Sequence, residues 1–251
     1  MARFKVGIQL HPQATSVAAL QAAWQAADGM GVDSIWVWDH FFPLYGDRDA
    51  SHFECWSLLA AMAVTTKRAM FGSMVTCNSF RNPELLADMA RTVDHLSGGR
   101  LVLGLGAGWF ERDYVEYGYE FGTAGARLAA LWESIPRLKR RLARLDPHPA
   151  GPLPLLIGGG GERKTLRMVA EHAQMWNGTG DVDTLAHKNN VIDRWCAEIG
   201  RNPAEIERSA LVSADADPDR YLAAGITHLV LTSGHPFDLA PLQRLLDLAR
   251  T

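Results

Sequence analysis

The segment Leu-Ser-Gly-Gly-Arg-Leu-Val-Leu-Gly-Leu-Gly-Ala-Gly-Trp, residues 96–109, runs from a helix end through an apolar strand into a glycine-rich turn. Its apolar run predicts a buried strand over Leu101–Gly106. Because glycine has no side chain to keep a neighbour away, Gly104, Gly106 and Gly108 predict that another group approaches this strand end closely. We interpret that group as a flat cofactor, and a cluster of packing glycines in an α/β protein is the alternative.

Strand-like and helical patterns alternate outward from this segment, which is typical of β-α units that form a parallel sheet. Helical periodicity is clear over Val17–Met30, Pro83–Leu96 and Ala126–Leu145. Eight apolar runs predict an α/β fold of the (β/α)8 TIM-barrel class, formed as a single domain over residues 1–251. The predicted strands are Phe4–Leu10, Ser34–Trp38, Met70–Thr76, Leu101–Gly106, Leu153–Gly158, Gln174–Asn177, Ala210–Ala214 and Thr227–Thr232.

Composition narrows the class of protein and its partners. Hydrophobic residues make up 47% of the chain and charged residues 21%, which is typical of a compact globular protein. A net charge of −3 gives no basic surface for nucleic acid. The sequence has no membrane-length apolar run or signal peptide, and its three cysteines lack the spacing of a disulfide framework or zinc site. We therefore expect a cytoplasmic protein whose partner is a small molecule, with no nucleic acid and no membrane.

Polar and aromatic residues follow several of the predicted strands. The carboxyl ends of the strands carry the active site in barrels of this type, so these residues are candidates for one site. A metal is not expected, because His11, His40 and His235 lie on separate loops without ligand-spaced carboxylates. The candidates are His11, Asp39, His40, Cys77, Asn78, Trp109, Glu111, Thr179 and His235.

A second run of glycines ends the fifth predicted strand and opens a helix. Backbone N–H groups and the positive end of a helix bind anions, so Gly159, Gly160 and Gly161 predict a phosphate site. Lys164 lacks the context of a P-loop, and a barrel is not a dinucleotide-binding unit, so nucleoside triphosphates are disfavoured. A flexible helix-capping loop is the alternative.

Together these motifs resemble the luciferase-like monooxygenase superfamily, and within it the oxidoreductases that use the deazaflavin coenzyme F420. The resemblance extends from Phe4 to Leu231 and keeps the family's order of motifs. The matching segments are Ser34–His40, Phe71–Thr76, Arg81–Pro83, Asp94–Arg100, Ile157–Thr165 and the pair Trp176 and Asn177.

The resemblance implies a homodimeric oxidoreductase that transfers a hydride between F420 and a small organic substrate. It implies that His40 exchanges a proton with the substrate, and we take Glu111 as a second catalytic candidate. It also implies a non-proline cis peptide between Met74 and Val75, behind the ring. The expected cofactor contacts are Asp39, Met74, Val75, Thr76, Gly106, Ala107, Gly108, Trp109, Gly159, Gly160 and Gly161.

The chain departs from the family pattern in two respects. Segments that cover the active site in relatives are shorter here, so we expect an open pocket. Leu44 and Trp109 stand where the sugar-phosphate dehydrogenases of the family have Trp and Glu, so glucose 6-phosphate is not an expected substrate. Two alternatives remain: an FMN-dependent monooxygenase on the same scaffold, and a cofactor-binding protein with little catalysis.

Overall fold

The apolar segments pair side by side, all in parallel, and close into a barrel in the computed structural model, which describes residues 2–251. The order of the strands is β3-β2-β1-β9-β8-β7-β6-β5-β4, and an additional pairing of β3 with β5 closes the ring. The strands are β1 Lys5–Leu10, β2 Ser34–Val37, β3 Met70–Ser73, β4 Thr76–Cys77, β5 Leu101–Gly106, β6 Leu155–Gly158, β7 Met175–Gly178, β8 Glu207–Val212 and β9 His228–Ser233. Because β3 and β4 are successive parts of one barrel strand, the predicted (β/α)8 barrel is confirmed.

Helices surround the barrel, and short polar side chains begin several of them. Ser16, Asn82 and Thr123 accept hydrogen bonds from free backbone N–H groups in the first turns of their helices, and Pro83 occupies a first turn. The helices are α1 Val17–Met30, α2 Cys55–Thr65, α3 Pro83–Ser97, α4 Glu111–Tyr117, α5 Ala124–Leu142, α6 Thr165–His172, α7 Val182–Glu198, α8 Pro218–Ala223 and α9 Ala240–Arg250.

The third and seventh predicted strands differ most from the structure. The prediction of one continuous strand over Met70–Thr76 is wrong, because the strand is interrupted at Met74 and Val75, which are joined by a cis peptide bond. The strand predicted over Ala210–Ala214 begins earlier, at Glu207, since polar residues there pair with β7 and hide the strand pattern. The other predicted elements agree with the structure to within one to three residues at their ends.

The glycines of β5 make room for the break in the third strand. A Cβ atom at Gly104 would lie 1.9 Å from the carbonyl oxygen of Ser73, and one at Gly106 would lie 2.4 Å from Cγ2 of Val75. The group that approaches both glycines closely is therefore the chain itself, and a cofactor contact at Gly106 stays a prediction. The resulting bulge places Val75 at the carboxyl end of the barrel.

Side chains fill the barrel interior below the bulge. Trp36, Met74, Val102, Leu156, Met175 and Val230 form one buried cluster inside the ring of strands. A larger apolar layer lies between the strands and the surrounding helices. Because the interior is packed with side chains, open space for a ligand is left at the ends of the strands.

Candidate active site

A cavity of about 690 Å³ lies at the carboxyl ends of the strands. Most of the residues predicted from the strand ends meet in its wall, although they come from separate loops. Those that line it are His11, Asp39, His40, Met74, Val75, Cys77, Gly106, Ala107, Gly108, Trp109, Gly159 and Thr179. The other predicted residues, which lie outside the lining, are Thr76, Asn78, Glu111, Gly160, Gly161 and His235.

His40 is held by a buried carboxylate. Its Nδ1 lies 2.6 Å from Oδ2 of Asp113, whose side chain is fully buried. The other carboxylate oxygen, Oδ1, accepts the backbone N–H groups of Phe41 and Phe42 at 3.0 and 3.2 Å. With Nδ1–H donating to Asp113, Nε2 of His40 is the nitrogen left for a ligand. The pair therefore fixes both the ring orientation and the tautomer of His40.

Asp113 was missed by the sequence analysis, which selected Glu111 on the same helix. Glu111 is the first residue of α4 and is exposed, a position where a carboxylate interacts with the positive end of a helix. Asp113 lies two residues later and is buried beside Tyr114. The sequence Glu111-Arg112-Asp113 does not indicate which of its two acidic side chains faces inward. The start of a short helix cannot be located to one residue from sequence. The catalytic role of Glu111 stays a prediction.

Asp39 is buried and connects three segments below the cavity. Its carboxylate forms a two-bonded ion pair with Arg81, with distances of 2.6 and 3.0 Å, and accepts the backbone N–H of Cys77 at 3.0 Å. Arg81 also donates to Glu54, which caps the start of α2. Because both carboxylate oxygens are engaged, Asp39 positions β4 and the bulge before it, and its charge is neutralised by Arg81.

A group of aromatic and imidazole side chains forms another part of the wall. His11 stacks on Trp38 with ring centres 4.5 Å apart, and its Nδ1 lies 2.7 Å from the hydroxyl of Tyr45. Burial lowers the pKa of His11 to about 4 and raises that of Tyr45 to about 12. Trp38 donates its indole N–H to His52, whose pKa burial also lowers to about 4. These groups are all uncharged at neutral pH.

The glycine-rich loop lies between β6 and α6 beside the cavity. Gly159 has φ +111°, and its carbonyl accepts the indole N–H of Trp176 at 2.8 Å. Within the described part of the chain, no side chain caps the start of α6, although the N–H of Leu166 donates to the carbonyl of Gly161 at 3.0 Å. This helix start is the part of the loop that could bind an anion. A Cβ at Gly160 would meet nothing nearer than 3.6 Å, which leaves the outer side of the loop open. Arg163 and Lys164 are exposed on the same loop.

Across residues 2–251, no group of three or more His, Cys, Asp or Glu side chains is arranged to hold a metal ion. Over the same range, every helix is too short or too polar to cross a membrane.

Comparison with protein families identifies the scaffold that carries this cavity. The luciferase-like monooxygenase family matches residues 1–234. The chain belongs to this family. The order of the motifs and the cis peptide that the resemblance implied are thus found in a member of the family with the expected barrel.

Curated relatives of this luciferase-like protein include enzymes named for F420 or for pterin reduction. It is 34% identical over 155 residues to the F420-dependent glucose-6-phosphate dehydrogenase of Amycolatopsis mediterranei, an alignment that covers 54% of this chain and 45% of that enzyme. It is 29% identical over 245 residues to the 5,10-methylenetetrahydromethanopterin reductase of Archaeoglobus fulgidus, covering 90% of this chain and 69% of that enzyme. The chain thus aligns with less than half of the first of these relatives.

Solved structures share the barrel across its whole length. An F420-dependent secondary alcohol dehydrogenase, in complex with an F420-acetone adduct, superposes with a TM-score of 0.86 at 18% identity, covering 99% of this chain and 100% of that one. The FMN-bound oxygenating constituent of 3,6-diketocamphane monooxygenase from Pseudomonas putida gives 0.75 at 18% identity, covering 99% and 97%. At these identities the likeness shows the fold alone.

Proposed function

We propose that this luciferase-like protein is an oxidoreductase that binds coenzyme F420 and transfers a hydride between its deazaflavin ring and a small organic substrate. The observation that carries the proposal is the position of His40 in the cavity wall, with Nδ1 bonded to buried Asp113 and Nε2 left for a ligand. The names of the relatives from Amycolatopsis and Archaeoglobus support a reductive cofactor rather than a hydrolytic reaction.

A deazaflavin cofactor with a phosphate group needs a flat wall and an anion site. Met74 and Val75 form a bulge in the wall against which a flat ring can lie. Gly159 lines the cavity, and Gly160 and Gly161 continue the same loop outside the lining, where the phosphate would lie. When bound, coenzyme F420 supplies or accepts two electrons as a hydride.

The residues of the chain supply orientation and a proton. Asp113 accepts the Nδ1–H of His40, which leaves Nε2 on the opposite side of the ring. Nε2 can then give a proton to a substrate oxygen or take one from it. Trp38, Phe110 and Trp109 surround the imidazole with edge contacts at 5.6 to 6.5 Å between ring centres. These rings keep water away from the side of His40 that they cover.

A fluorescence titration tests the cofactor assignment directly. Purified protein is titrated with F420 and with FMN in parallel, and quenching of tryptophan fluorescence gives the two dissociation constants. We expect F420 to bind at least tenfold more tightly than FMN. The reverse preference would favour the flavin monooxygenase alternative, and binding of neither would overturn the proposal.

A loop variant links binding to the proposed phosphate site. Gly160→Asp places a negative charge where the phosphate would lie, and we expect it to weaken F420 binding about tenfold or more. Gly29→Asp is the matched control, because Gly29 is exposed on α1 with nothing within 4 Å of a Cβ atom. Equal binding by both variants would remove the glycine loop from the site. Binding of F420 without turnover of any substrate would favour the carrier alternative.

A further inference from the structure

Resting on the proposed function, we infer that the substrate of this site is an uncharged, largely apolar carbonyl compound or the corresponding alcohol, and that phosphorylated and carboxylated substrates are excluded. The inference depends on the charges of the cavity wall and on the hydrogen bonds and ion pairs that already engage the nearby ionised groups. It also depends on Nε2 of His40, the one imidazole nitrogen left for a substrate. Each of these is visible in the contacts of the described residues.

No lysine or arginine is among the described residues that line the cavity. Arg81 contacts the wall through Asp39 but is already shared between Asp39 and Glu54. Arg127 also contacts the wall, where it donates to the carbonyl of Gly108 at 3.0 Å, and its guanidinium lies 3.8 Å above the ring of Phe121. An anionic substrate would therefore find no lysine or arginine free to pair with, which costs several kcal/mol in a buried site.

Three other titratable side chains of the wall, those of His11, Tyr45 and Cys77, are neutral at physiological pH. His11 and Tyr45 form a neutral pair, since burial lowers the pKa of His11 to about 4 and raises that of Tyr45 to about 12. Burial raises the pKa of the Cys77 thiol to about 11. The two carboxylates in the wall, Asp39 and Asp113, are buried and have partners of their own. The charge of Asp39 is neutralised by Arg81, whereas Asp113 has no arginine or lysine partner, and its negative charge disfavours an anion nearby.

The space next to His40 is bounded by apolar and aromatic groups. Leu44 and Phe80 line the cavity, as do Phe110 and Trp109, and Trp109 is 63% exposed at its open side. An exposed tryptophan at the edge of a cavity provides a flat apolar surface on which an aromatic or aliphatic body can pack. Trp109 thus adds to the apolar character of the space next to His40.

The reaction that fits one free imidazole nitrogen is the interconversion of C=O and CH–OH. In the reducing direction the carbonyl carbon gains the hydride and its two electrons from reduced F420, and the carbonyl oxygen gains the proton of His40 Nε2. The imidazole regains a proton from solvent after the alcohol leaves. In the oxidising direction the same atoms move in reverse, so only one protonatable oxygen is required of the substrate.

Matched pairs of probes test the substrate class. Acetophenone is compared with 4-acetylbenzoate, and cyclohexanone with 4-oxocyclohexanecarboxylate, which differ from them by one carboxylate. Binding of each probe to the protein without cofactor is followed by tryptophan fluorescence, and oxidation of reduced F420 by absorbance. We expect a neutral ketone to bind at least tenfold more tightly than its carboxylate and to be reduced at least a hundredfold faster. Equal or better binding of the carboxylates, or no binding of either neutral ketone, would overturn the inference.

A charge introduced at the open side gives a second, opposite test. Trp109→Arg supplies the missing cation, so we expect it to strengthen binding of 4-acetylbenzoate about tenfold while weakening that of acetophenone. Trp109→Gln is the control that removes the indole without adding a charge. If both variants treated 4-acetylbenzoate alike, charge would not decide selectivity. Because these measurements use binding without cofactor, they fail independently of the F420 titration.

Discussion

The barrel carries a carboxylate and histidine pair at each of its ends, and the two pairs have the same contact distance. At the carboxyl end, Nδ1 of His40 lies 2.6 Å from Asp113. At the amino end, Nδ1 of His228 lies 2.6 Å from Oε1 of Glu207. Judged by that contact alone, either histidine would be a candidate for acid–base chemistry.

The two pairs differ in the second nitrogen of the imidazole. Nε2 of His228 lies 2.8 Å from Oγ of Ser34, which also accepts the indole N–H of Trp36, and Glu207 binds Lys5 at 2.6 Å. Nε2 of His40 has no such partner in the part of the chain that the structure describes. A satisfied histidine holds a fold together, whereas one with an unused nitrogen in a cavity wall is available to a ligand. We therefore expect His228 to stabilise the amino end of the barrel and His40 to act on a ligand at the carboxyl end.

The largest expected effect is that of His40→Ala on turnover. Removing the proton donor should lower kcat on the best neutral ketone by about a thousandfold, or about 4 kcal/mol, with F420 binding within a few-fold of the unmodified protein. Steady-state kinetics and the fluorescence titration measure the two quantities. Full activity of this variant would leave His40 without the role that distinguishes it from His228.

His228→Ala should act on stability instead. It leaves Glu207 and Ser34 without their buried partner, so we expect the free energy of unfolding to fall by about 3 kcal/mol in urea denaturation. In folded protein the turnover per active site should change little. A large loss of kcat in folded protein with an unchanged urea midpoint would contradict the structural assignment of the amino end.

Acidic pH should lower the contribution of the amino end of the barrel to the free energy of unfolding. The hydrogen bond from His228 and the proximity of Lys5 lower the pKa of Glu207 from 4.5 to about 2, despite burial. Because the folded state holds the carboxylate ionised, its contribution is complete above about pH 4.5 and is lost as the pH falls towards 2. Allowing for partial solvent exposure, we expect a loss of about 2 kcal/mol. In urea titrations, Glu207→Gln should abolish this pH dependence, and a Gln variant with the same slope would contradict the assignment.

Asp113→Asn tests the positioning role at the carboxyl end. The amide no longer accepts the proton of Nδ1 as a carboxylate does, so the tautomer of His40 is no longer fixed, and we expect kcat to fall about 10- to 100-fold. The pH profile of kcat should shift as well, which a purely structural residue would not cause. Glu111→Gln is the comparison on the same helix. A larger loss at Glu111 than at Asp113 would return the catalytic role to the acid predicted from sequence.

The smallest effect concerns the space behind the bulge. Gly106→Ala places a Cβ 2.4 Å from Cγ2 of Val75, so the bulge must shift, and we expect a stability loss of about 1 kcal/mol with weaker F420 binding. Gly29→Ala is the control, since Gly29 is exposed on α1 and its Cβ would meet nothing within 4 Å. Thermal melts and the fluorescence titration separate the two variants. Identical behaviour would mean that β5 tolerates a side chain at Gly106.

The barrel was predictable from sequence because its strands are buried on both faces and alternate with capped helices. Leu101–Gly106 and Val17–Met30 agree with the structure at both ends. The break in the third strand was predictable only through the family resemblance, since nothing in the residue types at Met74 and Val75 indicates a cis peptide. A local sequence pattern predicts which residues are buried and where turns occur. It does not predict which residues distant in the chain will contact the end of a strand.

The site was predictable as a group of residues but not as a set of pairings. His40 was selected because it follows a strand, yet its partner Asp113 comes from a helix 73 residues away in sequence. Equally, sequence gave no reason to separate His228 from the other histidines, because its partners Glu207 and Ser34 are distant along the chain. The homodimer and the cytoplasmic location stay predictions.

The closeness in sequence of Trp109, Phe110 and Asp113 has a consequence for how selectivity could be altered. Trp109 and Phe110, which line the cavity, and Asp113, which bonds to His40, lie within residues 109–113, from the end of the connection after β5 into the first turn of α4. An exchange of residues 109–113 between related barrels would therefore change the cavity wall and the partner of the imidazole together. A library that varies Trp109 and Phe110 but keeps Asp113 would diversify the accepted substrates and preserve the hydrogen bond that orients His40.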